Sequence, residues 1–88
     1  MSHYQRSIIT DLEKVHQDGH AIKYIKKPSE EVQLAAVRQD WESIAYIKNP
    51  SEEVQLEAVR QNGWAIECIE NPSEEVQLIA ALSKDYND

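Results

Sequence analysis

The chain contains one seven-residue block three times without change. Pro-Ser-Glu-Glu-Val-Gln-Leu begins at Pro28, at Pro50 and at Pro72, so each copy starts 22 residues after the previous one. A fixed period of this length is typical of stacked copies of one small supersecondary unit. Each such unit buries its apolar side chains only against its neighbours, and arrays of this kind usually serve as binding surfaces. The period of 22 residues therefore predicts a stacked repeat architecture.

The period continues on both sides of the identical blocks. When residues 6–27 are aligned with residues 50–71, the apolar positions and a glycine coincide. We therefore expect three full repeats and one half repeat, in the order 6–27, 28–49, 50–71 and 72–88. No spacer interrupts this register, which predicts that residues 1–88 form a single domain.

The sequence of each repeat predicts two helical segments. In the repeat 50–71, Asn49, Pro50 and Glu52 suit the N-cap and the first turn of a helix. The apolar residues that follow cover a wide arc, as a helix between two layers requires: Val54, Leu56, Ala58 and Val59. Gly63 is expected to end this helix in the left-handed conformation. The short segment after it suits two turns of α-helix or a 3₁₀-helix.

A repeat that reads Asn-Pro-x-x-Glu-Val-x-Leu-x-x-Val resembles the variant leucine-rich repeat family, a relative of HEAT-like repeats. It is also similar to arrays in uncharacterised phage and bacterial proteins. The match covers residues 28–82 well and residues 6–27 loosely. The resemblance implies an all-α fold, a short right-handed α-solenoid of about three and a half repeats in which a long helix alternates with a short α- or 3₁₀-helix. It implies no catalytic residue, because the family shares none.

The second repeat departs from the pattern at two positions. Trp41 stands where both neighbouring repeats have glycine, and a bulky residue is unfavourable at positive φ. We expect either that Asp40 takes the left-handed conformation or that the preceding helix continues by one residue. Lys27 stands where the next repeat has Asn49, which predicts a weaker N-cap for the helix that follows.

One glutamine per repeat falls inside the predicted apolar arc: Gln33, Gln55 and Gln77. A buried amide requires hydrogen-bond partners. We expect these side chains to bond the backbone of the turns, or to stack as a ladder, and in either way to set the register between repeats.

The net charge of −7 comes mostly from paired glutamates in the predicted first helical turns: Glu30, Glu31, Glu52, Glu53, Glu74 and Glu75. Carboxylates at these positions stabilise a helix through its dipole. Without these six, ten acidic residues remain against nine lysines and arginines. The alternative is that stacking lines the carboxylates along an acidic edge that mimics nucleic acid. Direct binding of DNA or RNA is not expected, because no basic patch is present.

No apolar run is long enough for a membrane span, and no segment resembles a signal peptide. The single cysteine, Cys68, excludes an intramolecular disulfide. We expect a cytoplasmic protein, in the host cytoplasm if it is encoded by a phage.

The sequence predicts no catalytic residue, no cofactor and no metal site. His16 and His20 are four residues apart, a spacing that suits metal ligands on one helix. Gly19 is expected to end the helix between them, however, so the two rings need not share a face. The chain has no glycine-rich phosphate loop and no Ser/His/Asp arrangement. An enzyme is therefore not expected.

A protein-binding strip is predicted where the nearly identical repeats differ, at the turn and the second segment. Its candidate residues are His20, Trp41, Glu42, Trp64 and Glu67. Large aromatic side chains on a surface strip are typical anchors of an interface. The alternative is that both indoles close the core over the turn.

The last helix becomes more apolar where a terminal repeat should present a polar surface. Ile79 stands at the position of Glu57, and we expect an uncovered patch formed by Val76, Ile79, Leu82 and Tyr86. Exposed patches of this kind mark interfaces, and a two-fold homodimer through the C-terminal helix would close this one. A different partner, or a self-covered end, remains open.

These features together predict a small protein–protein interaction module without catalytic activity. The resemblance suggests a phage or mobile-element protein that binds and inhibits a host defence protein. The second candidate is an acidic nucleic-acid mimic that occupies the basic groove of a nucleic-acid-binding protein. The third is a structural protein that assembles end to end.

Overall fold

The computed structural model describes residues 10–86, and the side chains of residues 10–84. Within that range the chain forms α-helices (α) and 3₁₀-helices (η) and no strand, so the predicted all-α class is confirmed. The elements in chain order are α1 (Asp11–Gln17), η1 (Gly19–Tyr24), α2 (Glu30–Gln39), η2 (Trp41–Tyr46), α3 (Glu52–Gln61), η3 (Gly63–Cys68) and α4 (Glu74–Tyr86). None of these helices is both long and apolar enough to cross a lipid bilayer.

Each α-helix packs against the next α-helix, and each 3₁₀-helix packs against the next 3₁₀-helix. We call α1 with η1 layer 1, α2 with η2 layer 2, and α3 with η3 layer 3, and α4 packs on layer 3. The molecule is elongated, with principal extents of 52 × 24 × 15 Å. The 3₁₀-helices consequently lie side by side on one face, which we call the η face.

One apolar cluster runs through all three layers and α4. Its largest fully buried members come from each layer in turn: Val15, Ile22, Val37, Ile44, Val54, Val59 and Val76. Small residues fill the closest contacts, because Ala36, Ala58 and Ala80 have almost no exposed surface. The core is therefore a row of aliphatic side chains between layers, as a stack of thin units requires.

Helices α2 and α3 are capped by serine. The hydroxyls of Ser29 and Ser51 accept from backbone N–H groups three residues later, at 3.2 and 3.3 Å. The prediction that Asn49 caps α3 was wrong: Asn49 and Asn71 instead adopt φ of +54° and +53°. Asparagine is one of the few non-glycine residues that tolerate this conformation. The predicted weaker cap after Lys27 was also wrong, because Ser29 provides the cap.

The predicted role of Gly63 was wrong as well, since neither described glycine has positive φ. Helices α1, α2 and α3 end at an extended residue whose carboxylate or amide oxygen accepts from the N–H two residues later, at 2.9 to 3.0 Å: Asp18, Asp40 and Asn62. Glycine is needed for close packing, because a Cβ on Gly19 would lie 2.6 Å from the carbonyl oxygen of Ala36. Trp41 therefore has no unfavourable positive φ. Both alternatives predicted for this turn were wrong: Asp40 is extended, and α2 ends at Gln39, the position equivalent to the end of α3.

The three glutamines close the proline turns within their own repeats. Each Nε2 donates to the carbonyl oxygen of the proline five residues earlier, at 3.1 Å for Gln33, 2.9 Å for Gln55 and 3.0 Å for Gln77. The predicted bond to the turn backbone is confirmed, whereas these bonds form no ladder between layers. Gln33 and Gln55 are half-buried and Gln77 is exposed.

Candidate functional site

The η face presents three parallel rows of side chains, with one residue per layer in each row. In each 3₁₀-helix the second, fifth and sixth residues face outward, and the first, third and fourth are buried or half-buried. Ile22 and Ile44 point into the core. The outward rows are His20, Glu42 and Trp64, then Lys23, Ala45 and Glu67, then Tyr24, Tyr46 and Cys68. Eight of these nine residues are exposed, and His20 is half-buried.

Large aromatic side chains are unusually accessible on this face. Tyr24 is 79% exposed, Tyr46 44% and Trp64 53%. The ammonium group of Lys23 lies 5.2 Å from the ring centroid of Tyr24 and 5.5 Å from that of Tyr46, within cation–π range of both rings. These contacts hold the two tyrosines in a continuous aromatic and cationic surface across layers 1 and 2.

The two tryptophans have different environments. Trp64 is exposed, and the ammonium group of Lys84 lies 4.2 Å from its ring centroid. Trp41 is half-buried and packs against the core cluster. Of the predicted strip, His20, Glu42, Trp64 and Glu67 thus share the η face. Trp41 is instead turned towards the core, as the alternative interpretation expected for both indoles.

His20 reaches across from layer 1 to two carboxylates of layer 2. Its Nε2 lies 3.0 Å from Oδ2 of Asp40 and 3.8 Å from Oε1 of Glu42. The imidazole also contacts the Tyr46 ring edge to face, with centroids 5.5 Å apart. Spacing within the first repeat pairs His20 with His16, and this criterion misses Asp40 and Glu42, which belong to the next repeat. The repeat period was the available signal, because it places position 20 of one repeat beside the start of the next 3₁₀-helix.

Charge changes sign along the η face. The helix η1 and the turn after it expose three lysines, Lys23, Lys26 and Lys27. Layer 2 exposes Glu42 and Lys48, which balance. The helix η3 and the turn after it expose Glu67 and Glu70, and the ammonium group of Lys84 from α4 lies over the Trp64 ring beside them. The net charge of the whole chain conceals this gradient, which runs from a basic end to an acidic end.

Two shallow grooves cross the same face between consecutive proline turns. The groove between layers 2 and 3 has a volume of about 440 Å³ and is lined in part by Ala45, Lys48 and Cys68. The groove between layers 1 and 2 has a volume of about 350 Å³ and is lined in part by Ile25 and Tyr46. Cys68 is exposed. Open grooves of this shape suit the side chains of a protein partner better than a small ligand, which usually binds in a more enclosed pocket.

The predicted acidic edge is partly used within the fold. The hydroxyl of Ser51 donates to Oε2 of Glu30 at 2.7 Å, and that of Ser73 donates to Oε2 of Glu52 at 3.0 Å. The first glutamate of a pair thus bonds the capping serine of the following layer. The second glutamates, such as Glu31, are exposed. Only part of the edge is therefore available to a basic groove on a partner.

The uncovered patch on α4 differs from the predicted one. Val76 is fully buried and Ile79 is half-buried against the core, so these two residues were wrongly assigned to it. The exposed apolar side chains are Leu78 at 62%, Leu82 at 58% and their neighbour Ala81. Ala81 corresponds to Val59, which is fully buried where α4 packs on α3. The side chain of Tyr86, also predicted in this patch, lies outside the described residues.

Comparisons of the chain with protein families, with curated proteins and with solved structures find no match.

Proposed function

We propose that the chain is a short α-solenoid, right-handed as the family resemblance implies, that binds a protein partner through its η face and catalyses no reaction. The packing of like elements on like elements in successive layers supports the solenoid arrangement. The observation that carries the binding role is the exposure of Tyr24, Tyr46 and Trp64 on a single face. Aromatic side chains bury large apolar areas on binding and are enriched among interface anchors.

The η face suits recognition better than the opposite face, because its residues change from layer to layer. On α2 and α3 the exposed Arg38 and Arg60 repeat the same chemistry. On the η face one row reads His20, Glu42 and Trp64, so successive layers present a base, an acid and an aromatic ring. A surface that varies in this way distinguishes one partner orientation from another.

The charge gradient predicts the chemistry of the partner. We expect carboxylates opposite Lys23, Lys26 and Lys27, an apolar surface opposite Tyr46, and basic side chains opposite Glu67 and Glu70. Complementary charges of this kind fix orientation and accelerate association more than they increase affinity. Association should therefore slow as salt concentration rises, while the aromatic contacts keep the complex together.

The single cysteine allows a direct experiment, because Cys68 is exposed on the η face. A photo-reactive maleimide on Cys68 should cross-link the partner in a lysate and identify it. With the purified partner, the variant Tyr24→Ser/Tyr46→Ser should bind at least about tenfold more weakly than wild type, the size of effect expected for two anchor residues. The matched control Arg38→Ser/Arg60→Ser on the opposite face should bind within about twofold of wild type.

Two results would contradict this proposal. One is a partner whose affinity is unchanged by loss of both tyrosines. The other is a partner lost on charge reversal at Glu31 and Glu53 with the η face intact, which would favour the nucleic-acid mimic instead.

A further inference from the structure

We propose that His20, Asp40 and Glu42 form a binding site for a divalent transition-metal ion of the Zn²⁺ class. One donor atom from each residue lies within 4.8 Å of the others. The proposal does not rest on the protein-binding role, although His20 and Glu42 also belong to the η face, and the donors come from two successive layers.

The spacing of the donor atoms fits one ion. Metal–nitrogen and metal–oxygen bonds of about 2.0–2.1 Å in a tetrahedral site place neighbouring ligand atoms about 3.3–3.4 Å apart. Nε2 of His20 lies 3.0 Å from Oδ2 of Asp40 and 3.8 Å from Oε1 of Glu42, on either side of that value. The two carboxylate oxygens lie within 4.8 Å of each other, so coordination requires them to approach by up to about 1.5 Å through rotation of the side chains.

The donor set selects the class of ion. An imidazole nitrogen with two carboxylate oxygens suits Zn²⁺ and its neighbours, whereas Mg²⁺ and Ca²⁺ prefer oxygen ligands alone. Two carboxylates also neutralise the divalent charge. His20 and Asp40 are half-buried and Glu42 is exposed, so the ion can enter from solvent and keep a water ligand in its fourth position.

Contacts within the fold hold the Asp40 carboxylate and the His20 imidazole in place before any ion binds. Oδ1 of Asp40 accepts from the N–H of Glu42 at 3.0 Å, which leaves Oδ2 directed at His20. The edge-to-face contact with Tyr46 supports the orientation of the imidazole. Such supporting contacts are what keep metal ligands in productive positions.

The next layer junction provides an internal comparison. One repeat later, the positions of His20, Asp40 and Glu42 are occupied by Glu42, Asn62 and Trp64. This second junction retains the cap, because Asn62 accepts from the N–H of Trp64 at 2.9 Å. It has one carboxylate and no imidazole, so it lacks the donor set. The cap thus explains an Asp or Asn at this position, but it does not explain the three donors at the first junction.

Isothermal titration calorimetry tests the site, with ZnCl₂ titrated into the full chain. The background variant His3→Gln/His16→Gln/Cys68→Ser removes the other two histidines and the thiol. His20 is then the only histidine of the chain, and no cysteine remains. We expect one saturable Zn²⁺ site per chain. Asp40→Asn should weaken Zn²⁺ binding at least about tenfold. This variant should keep the η2 cap, because Asn62 caps η3 in the same way. Glu42→Gln should weaken Zn²⁺ binding by a similar factor.

Asp18→Asn is the matched control, because it makes the same change at a cap outside the cluster, and its Zn²⁺ affinity should stay within about twofold of the background. Co²⁺ gives a second readout: its visible absorption should show a bound ion that His20→Gln removes. Absence of saturable Zn²⁺ binding in the background variant would overturn the proposal. Equal weakening by Asp18→Asn and Asp40→Asn would overturn it too.

Discussion

At the scale of single residues, Ser43 is the least satisfied position of the core. Its side chain is fully buried, and its hydroxyl has no hydrogen-bond partner in the part of the chain that the structure describes. Layers 1 and 3 have Ala21 and Ala65 at the same position. A buried hydroxyl without a partner costs about 1–3 kcal/mol of stability. Ser43 therefore weakens the junction with layer 1, where Gly19 packs closely against it.

We expect Ser43→Ala to raise the free energy of unfolding by about 1 kcal/mol, because the substitution removes an unsatisfied polar group and keeps the packing of Ala65. Urea unfolding followed by circular dichroism measures the change. The reverse substitution at the equivalent site, Ala65→Ser, should lower the free energy of unfolding by a similar amount. A loss of stability in Ser43→Ala would show instead that the hydroxyl is bonded.

The left-handed turn residues give a second prediction. Asn71 has φ of +53°, so Asn71→Ala should lower the free energy of unfolding by about 1 kcal/mol, whereas Asn71→Gly should be close to neutral. Lys27 holds the same position in the first turn, but in the described chain only Asn49 and Asn71 among non-glycine residues have positive φ. Lys27→Asn is therefore expected to change stability little. Equal effects of Ala and Gly at position 71 would contradict this account.

At the scale of elements, one serine both starts a helix and joins it to the previous layer. The hydroxyl of Ser51 accepts from the N–H of Val54 at 3.3 Å and donates to Oε2 of Glu30 at 2.7 Å. The carboxylate makes the second bond charge-assisted, and such bonds are stronger than neutral ones. The repeated Ser-Glu-Glu sequence thus encodes a helix cap and a contact between layers at once.

A double-mutant cycle should separate the two roles. We expect Ser51→Ala to lower the free energy of unfolding by about 1 kcal/mol through the cap, with a further coupling to Glu30→Gln of about 0.5–1 kcal/mol. Ser29→Ala is the control, since the residue at the Glu30 position one repeat earlier is Ile8, which offers no side-chain acceptor. Urea unfolding of the four variants of the cycle measures the coupling. A coupling energy of zero would mean that the bond between Ser51 and Glu30 adds nothing to the free energy of unfolding.

Helix α1 shows how an element forms without that sequence. It begins at Asp11, three residues later in the repeat than α2 and α3, because the Ser-Glu-Glu opening is absent there. Thr10 and Glu13 instead form a capping box, with each side chain bonded to the other's backbone N–H. A different local signal thus starts an equivalent helix.

At the scale of the whole molecule, the exposed apolar end of α4 is the clearest candidate for self-association. We expect wild-type protein to form a dimer whose mass by light scattering reaches a plateau with concentration, and Leu82→Glu to remain a monomer. Leu82 is exposed, so the new charge should not disturb the core. Ile79→Glu is a poorer test, because Ile79 packs against the core and the variant could unfold.

The unfolding midpoint of Leu82→Glu, measured at a concentration where both proteins are monomers, checks that the fold is intact. A wild-type protein that stays monomeric at every concentration would contradict the dimer. A mass that grows without a plateau would instead favour end-to-end assembly.

The amino-acid sequence by itself determined the helical class and the order of the segments. The period of 22 residues, the apolar arc around Val54 and the short segment after each long helix all depend on neighbouring residues in the chain. Local rules therefore suffice for them. They failed at the caps, where Asn49 and Ser51 both have cap-forming side chains. Only the path of the backbone between layers assigns the cap to Ser51 and positive φ to Asn49.

The tertiary structure alone decided which residues meet between layers and which side of a helix stays open. A wide apolar arc does not specify its rotation, so α4 exposes Leu78 and Leu82 and buries Val76. The meeting of His20 with Asp40 likewise depends on the offset between one layer and the next. The physical reason is the same in both cases: a repeat sequence encodes its own helices, whereas the contacts between repeats follow from how those helices stack.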